Sequence, residues 1–157
     1  MADTSQTWNE AVAREIIATH HDREGAMLPM LHAIQEEFGY IPREAEPVIA
    51  EALNLSRAEV HGVITFYHDF RREPAGRHVL KICRAEACQS MGSEANAHRL
   101  LERLGLDWGG TTADGRITIE AVYCLGLCAT APSALLDGEP VGRLDAASLE
   151  SLAMEAA

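Results

Sequence analysis

The sequence lacks the features of a membrane or secreted protein. No apolar run approaches the ~20 residues that a membrane-spanning helix needs, so we expect no direct membrane insertion. Residues 1–6 have neither a basic start nor an apolar segment, so no secretory signal is visible. These two absences predict a cytoplasmic protein.

Basic residues are also in short supply. The chain has 13 Lys and Arg against 24 Asp and Glu, a net charge of −11. Both halves of the chain are acidic and would repel a phosphate backbone, so we expect no nucleic-acid partner. An acidic surface of this kind suits docking onto a basic patch of another protein.

Motifs for nucleotide binding and for common catalytic sites are missing. Neither G-x-G-x-x-G nor G-x-x-x-x-G-K-[ST] occurs in the sequence. The seven histidines are scattered, and no Ser/His/Asp or paired-carboxylate arrangement stands out. We therefore predict no catalytic residues in this chain.

The remaining pattern divides the chain into two parts. A length of 157 residues allows one ordinary domain or two small ones. Apolar residues recur at helical spacing up to residue 68, and the segment 71–76 then breaks the pattern as a linker. The fold class is therefore mixed α and β, with a helical bundle over residues 1–75 and an α/β domain over residues 76–157.

Several local signals set the expected helix ends in the first part. Gly39 is a natural C-terminal cap for the second of four helices. Ser56 and Glu59 form a capping box at the start of the fourth. At the end of that fourth helix, Phe66 and Tyr67 pack into the core or, as the alternative, face a partner.

The second part combines strands and helices. Residues 78–82 form a short predicted strand, residues 93–104 a helix, and residues 117–121 a strand with alternating polar and apolar positions. Asp137-Gly138 predicts the tight turn of a hairpin. Asp145 is placed to cap a last helix.

All four cysteines fall in the second part, as two pairs. Their spacing is Cys83-x4-Cys88 and Cys124-x3-Cys128. Each pair follows a predicted strand, where loops leave one edge of a sheet together. We therefore expect the four thiols to meet at one place.

Several kinds of chemistry compete for four such thiols. Scattered buried cysteines would not explain the pairing, nothing marks the chain as secreted and disulfide-bonded, and the C-x-x-C of dithiol redox proteins is absent. Structural zinc remains open, although its sites usually use C-x2-C spacing. The looser spacing favours a [2Fe–2S] cluster, which is wider than one ion and needs four thiolates. Gly126 could then aim its N–H group at sulfur, and the acidic surroundings predict a low reduction potential.

The cysteine segments resemble a known family. Cys83-x4-Cys88, followed by CLGLCATAP over residues 124–132, is similar to the thioredoxin-like [2Fe–2S] ferredoxins. The helical half, with HGVITFY over residues 61–67, resembles the N-terminal extension of the 24 kDa subunit of respiratory complex I. The resemblance implies a helical bundle followed by a thioredoxin-like [2Fe–2S] ferredoxin domain. It also implies one [2Fe–2S] cluster, with four cysteine ligands: Cys83, Cys88, Cys124 and Cys128.

Two loops narrow the resemblance further. Residues 66–71 (FYHDFR) and 83–92 (CRAEACQSMG) are similar to the gamma subunits of molybdenum-containing, NAD-dependent formate dehydrogenases. That implies two partner subunits, one with FMN, a [4Fe–4S] cluster and the NAD site, and one that oxidises formate at molybdenum. This chain would exchange single electrons near the FMN and would not turn over substrate alone. The alternatives are a 24 kDa-type subunit of complex I or of an NAD-reducing hydrogenase, and a zinc-stabilised binding module.

Overall fold

The computed structural model of the protein describes residues 7–156. Residues 1–6, on which the expectation of no secretory signal rests, lie outside the described residues. The chain divides into two compact units between Pro74 and Ala75. Over residues 7–156, no helix is both long enough and apolar enough to cross a bilayer.

The first unit contains four helices that share one apolar core. The helices are α1 (Glu10–His20), α2 (Met27–Phe38), α3 (Ala45–Leu53) and α4 (Arg57–Phe66). The Trp8 ring packs on this core, and its centroid lies 5.2 Å from the centroid of the Phe38 ring. The largest side chains that are fully buried in this core are Phe38, Met30, Leu31, Ile34, Ile41, Ile49 and Ile64.

The predicted helix ends of the first unit are confirmed, with one shift. Gly39 ends α2 in the left-handed region at φ 79°, and its N–H donates to the Gln35 carbonyl. The Ser56–Glu59 capping box is present at the start of α4. The spacing of apolar residues predicts a first helix from Trp8 to His20. The helix begins at Glu10 instead, because the Asn9 side chain accepts the N–H groups of Ala11 and Val12 in its first turn.

The expectation that Phe66 packs into the core is wrong. Phe66 is 73% exposed and Tyr67 is 43% exposed. Their rings contact each other edge to face, with 5.1 Å between centroids. Helical spacing placed Tyr67 at the end of an apolar stripe, but burial along that stripe ends about one turn earlier, at Ile64.

The second unit is built on a four-stranded mixed sheet. The elements in chain order are β1 (His78–Cys83), α5 (Glu86–Ser90), α6 (Ser93–Leu104), β2 (Ile117–Val122), β3 (Ala134–Leu136), β4 (Glu139–Val141) and α7 (Ala146–Glu155). The strand order in the sheet is β2-β1-β3-β4, with β1 and β2 parallel and the other neighbours antiparallel. The buried side chains of β1 and β2 pack with those of the helices in a second apolar core.

Most local predictions for the second unit are confirmed. Asp137 and Gly138 have φ values of 51° and 88° and form the tight turn of the β3–β4 hairpin. The Asp145 side chain accepts the N–H of Ser148 and caps α7. The segment 83–92, expected to be a loop, contains the short helix α5 instead.

Both edges of the sheet are short or covered. Strand β4 forms one edge with three residues, and Pro140 lies at its centre. At the other edge, the segment 109–112 binds the backbone of β2. The N–H of Gly109 donates to the Ile119 carbonyl at 2.8 Å, and the N–H of Ile119 donates to the Gly110 carbonyl at 3.0 Å.

Candidate metal centre

The fold brings the two cysteine pairs to the carboxyl ends of two neighbouring strands. Cys83 is the last residue of β1, and Cys88 follows within α5. Cys124 comes two residues after β2, and Cys128 begins a single 3-10 turn. Because β1 and β2 are parallel neighbours, their carboxyl ends lie side by side.

The pairs are also in contact with each other. The sulfurs of Cys124 and Cys128 are 3.9 Å apart. The Cys88 side chain and the backbone N–H groups of Cys124 and Leu125 lie close enough to the Cys83 thiol to lower its pKa. The structure therefore places the two cysteine pairs beside each other, and the ligation of one centre by all four cysteines stays a prediction.

The four thiols differ in their exposure to solvent. Cys83 and Cys88 are each 2% exposed, whereas Cys124 and Cys128 are exposed. The site thus has a buried side against the sheet and an open side toward solvent.

Several hydrogen bonds fix the buried side. The N–H of Cys83 donates to the Ser133 carbonyl at 3.0 Å, and the Ser93 hydroxyl donates to the Cys83 carbonyl at 2.7 Å. The Ser133 hydroxyl lies 3.5 Å from the Cys88 sulfur. Sequence reasoning missed both serines, because the contacts join residues that are 10 and 45 positions apart and no local pattern marks them.

The electrostatics of the thiols follow from these contacts. Burial raises the pKa of the Cys83 thiol, but hydrogen bonds from the backbone N–H groups of Ala85, Cys124 and Leu125 and from Cys88 outweigh it, so the pKa lies below its ordinary value. The pKa of Cys128 is raised, chiefly by its hydrogen bond to Cys124 and by the neighbouring charge of that residue. Metal ligation requires thiolates, and the environment of Cys83 favours that form.

The glycine between the exposed cysteines has the expected role. The N–H of Gly126 donates to the Cys124 sulfur at 3.4 Å, which confirms the sequence-based expectation. Gly126 reaches this position with a φ of +76°, where a side chain would be strained. Cys124 itself has a φ of 74°, so the loop is shaped around its sulfur at some conformational cost.

A charged side chain beside the site is already paired. Arg84 follows Cys83, and its guanidinium donates to the two carboxylate oxygens of Glu94 at 2.6 and 2.9 Å. The same guanidinium lies 4.7 Å from the centroid of the Trp108 ring. This pairing holds the pKa of Glu94 below its ordinary value. Sequence reasoning missed this arrangement as well.

The donor set fits an iron–sulfur cluster. Across residues 7–156, no three His, Cys, Asp or Glu side chains are grouped tightly enough to hold one metal ion. The thiols form two adjacent pairs instead, with backbone N–H groups directed at sulfur. Four thiolates with N–H donors to sulfur are what a [2Fe–2S] cluster requires of its protein.

Comparison with known proteins points to the same cofactor. The thioredoxin-like [2Fe–2S] ferredoxin family matches residues 13–157. One subunit of the NADH-quinone oxidoreductase of Pseudomonas aeruginosa is 36% identical over 140 residues, which cover 88% of this chain and 82% of that subunit. The HndA subunit of the NADP-reducing hydrogenase of Solidesulfovibrio fructosivorans is 30% identical over 141 residues, which cover 90% of this chain and 82% of that subunit.

Solved structures agree with these relatives. The crystal structure of an NAD+-reducing [NiFe]-hydrogenase in the H2-reduced state matches 80% of this chain with a TM-score of 0.67 and 28% identity. The matched region spans 22% of that hydrogenase chain. The match over residues 13–157 and the similarity to these oxidoreductase subunits show that the chain belongs to the thioredoxin-like [2Fe–2S] ferredoxin family, whose cofactor is the cluster that the cysteine spacing predicts.

Proposed function

We propose that this chain is the [2Fe–2S] electron-transfer subunit of an NAD-dependent oxidoreductase. The observation that carries the proposal is the meeting of two cysteine pairs at the ends of two parallel strands. Cys83, Cys88, Cys124 and Cys128 are the proposed ligands. A bound [2Fe–2S] cluster supplies a one-electron redox couple, and the residues of the chain hold it, orient it and set its surroundings.

The two sides of the site have different tasks in this proposal. The buried thiols of Cys83 and Cys88 anchor the cofactor to the sheet and keep water from that side. The exposed thiols of Cys124 and Cys128 form the side at which a redox centre of a partner can approach. Tyr123, the residue before Cys124, is itself 69% exposed.

The proposal extends to the domain organisation of the chain. We propose two domains, a helical bundle over residues 1–75 and a thioredoxin-like [2Fe–2S] domain over residues 76–157. The compact division between Pro74 and Ala75 and the separate apolar core in each unit support this boundary.

The proposed partner is a subunit that carries FMN, a [4Fe–4S] cluster and the NAD site. The relatives named above are subunits of an NADH-quinone oxidoreductase and of a hydrogenase, which are oxidoreductase complexes. In such a complex this chain exchanges single electrons near the FMN and has no substrate site of its own.

We propose that the substrate of the whole complex is formate. The segments at residues 66–71 and 83–92 are similar to those of cytoplasmic, molybdenum-containing formate dehydrogenases, so the second partner is a molybdenum subunit that oxidises formate. The similarity to the two relatives from the quinone oxidoreductase and the hydrogenase supports a second candidate equally, the corresponding subunit of complex I or of an NAD-reducing hydrogenase.

The test combines cofactor content with partner identity. The anaerobically purified chain is expected to contain about two irons and two sulfides and to give a spin-half EPR signal after reduction. One zinc without a signal would identify a zinc-stabilised module and overturn the proposal. A tagged chain from its native host is expected to copurify with a molybdenum subunit and formate:NAD activity that the chain alone lacks, whereas nickel or membrane subunits would identify the second candidate.

A further inference from the structure

A buried hydroxyl contacts one of the proposed ligand sulfurs. The Ser133 Oγ lies 3.5 Å from the Cys88 Sγ. Ser133 is 1% exposed and Cys88 is 2% exposed, so water does not compete for this contact. Neither the cysteine spacing nor the family match assigns a role to the hydroxyl.

Chemistry fixes the direction of this hydrogen bond once the sulfur is a ligand. Between a free thiol and a hydroxyl, either group can donate. A thiolate that binds iron has no hydrogen, so the Ser133 hydroxyl has to be the donor. A hydrogen bond to an anionic acceptor is stronger than one between neutral groups, and burial strengthens it further.

We propose that Ser133 is a positioning residue that raises the reduction potential of the cluster through Cys88. Reduction adds one negative charge, part of which falls on the ligand sulfurs. A hydroxyl donated to the Cys88 sulfur stabilises the reduced form more than the oxidised form, and hydrogen bonds to sulfur are among the factors that set these potentials. The inference rests on the proposed function, because it requires Cys88 to be a ligand.

The side chain of Ser133 can be tested apart from its backbone. The Ser133 carbonyl accepts the N–H of Cys83 at 3.0 Å, and substitution by alanine leaves that bond in place. Ser93 is a matched control, because it is 2% exposed and its hydroxyl donates to the Cys83 carbonyl rather than to a sulfur. Both Ser→Ala changes remove one buried hydroxyl beside the site.

The experiment is an EPR-monitored redox titration of the full chain loaded with its cluster. Ser133→Ala is expected to lower the equilibrium constant for reduction by up to about tenfold, which is about 59 mV for a one-electron couple. Ser93→Ala is expected to change it much less, and Ser133→Thr, which keeps a hydroxyl, is expected to restore most of the wild-type value. Iron content is measured for each variant, so that potentials are compared between equally loaded proteins.

Three outcomes would overturn the inference. The first is a Ser133→Ala potential equal to that of the wild type at equal iron content, and the second is an equal shift in Ser93→Ala. The third is loss of the cluster in both Ser133→Ala and Ser133→Gly while Ser93→Ala stays loaded, which would give Ser133 a role in retaining the cluster instead. Absence of a cluster from the wild type would be a different result, because it would overturn the proposed function itself.

Discussion

At the scale of single residues, Cys124 is the most informative of the proposed ligands. It is exposed, it has a φ of 74°, and its sulfur receives the N–H of Gly126. Cys124→Ser replaces the sulfur by oxygen and leaves every other residue of the loop unchanged. We expect this variant to lose most of its iron and its visible absorption, because an alcohol is a far poorer ligand than a thiolate for iron–sulfur chemistry.

The control for this variant is Met91→Ser. Met91 also carries sulfur and is 61% exposed in the same unit, but the proposal gives it no ligand role. The Met91→Ser protein should keep the wild-type iron content and absorption spectrum. A Cys124→Ser protein with an unchanged spectrum and full iron content would exclude Cys124 as a required ligand.

At the scale of secondary-structure elements, a buried carboxylate joins two helices of the first unit to the segment that follows them. Glu46 of α3 is 5% exposed. Its Oε1 lies 2.7 Å from the Arg72 Nη2 and 3.1 Å from the His61 Nδ1 of α4. Burial raises the pKa of Glu46, but the hydrogen bonds from His61 and Arg72 outweigh burial and hold the pKa below 4.5, its ordinary value.

This arrangement predicts an acid-sensitive contribution to stability. A carboxyl whose pKa is lower in the folded state stabilises the fold above its ordinary pKa, and the contribution is lost as the pH falls below 4.5 through the folded value. Glu46→Gln should therefore lower the free energy of unfolding at neutral pH by about 1.5–3 kcal/mol. The difference in the free energy of unfolding between the variant and the wild type should narrow below pH 4.5. Denaturant unfolding at neutral pH and below pH 4.5 measures this difference.

Glu51→Gln provides the matched control on the same helix. Glu51 pairs with Arg14 at 3.2 Å, but its side chain is 70% exposed. The change should cost no more than about 0.5 kcal/mol and show little dependence on pH. Equal losses of unfolding free energy in Glu46→Gln and Glu51→Gln would show that the buried contacts of Glu46 stabilise the fold no more than an exposed ion pair does.

Elements with local rules could be predicted from the sequence, and contacts between distant residues could not. Gly39, the Ser56–Glu59 box and the Asp137-Gly138 turn each obey a rule that a few neighbouring residues express. Helix α5 has five residues, too few for apolar periodicity to reveal. The proximity of the two cysteine pairs could be predicted because each pair follows a predicted strand. The contact between Ser133 and Cys88 depends instead on the antiparallel pairing of β1 with β3, which no local pattern contains.

At the scale of the whole molecule, the cluster should stabilise only part of the chain. All four cysteines lie in the second unit, and each unit has its own apolar core. A cofactor that binds only the folded form raises the stability of the part that binds it. Anaerobic calorimetry should show two unfolding transitions, and removal of the cluster should lower the temperature of one of them.

The two transitions can be assigned with a variant described above. Glu46→Gln acts in the first unit, so it should lower the transition that does not respond to cluster removal. A single transition that shifts as a whole with the cluster would contradict independent stability of the two units.

The edges of the sheet determine how this protein can meet its neighbours. A two-residue turn makes Leu136 and Glu139 the hydrogen-bonded pair of the hairpin, so the backbone of Pro140 faces outward from β4. Proline has no N–H group, and the opposite edge is engaged by residues 109–112. Over residues 7–156, the shortness of β4 and the segment bound to β2 leave few backbone groups at either edge that an extended chain could join. Pairing of its strands with those of another chain is therefore disfavoured, and so is the stacking of strands into fibrils through the sheet edges.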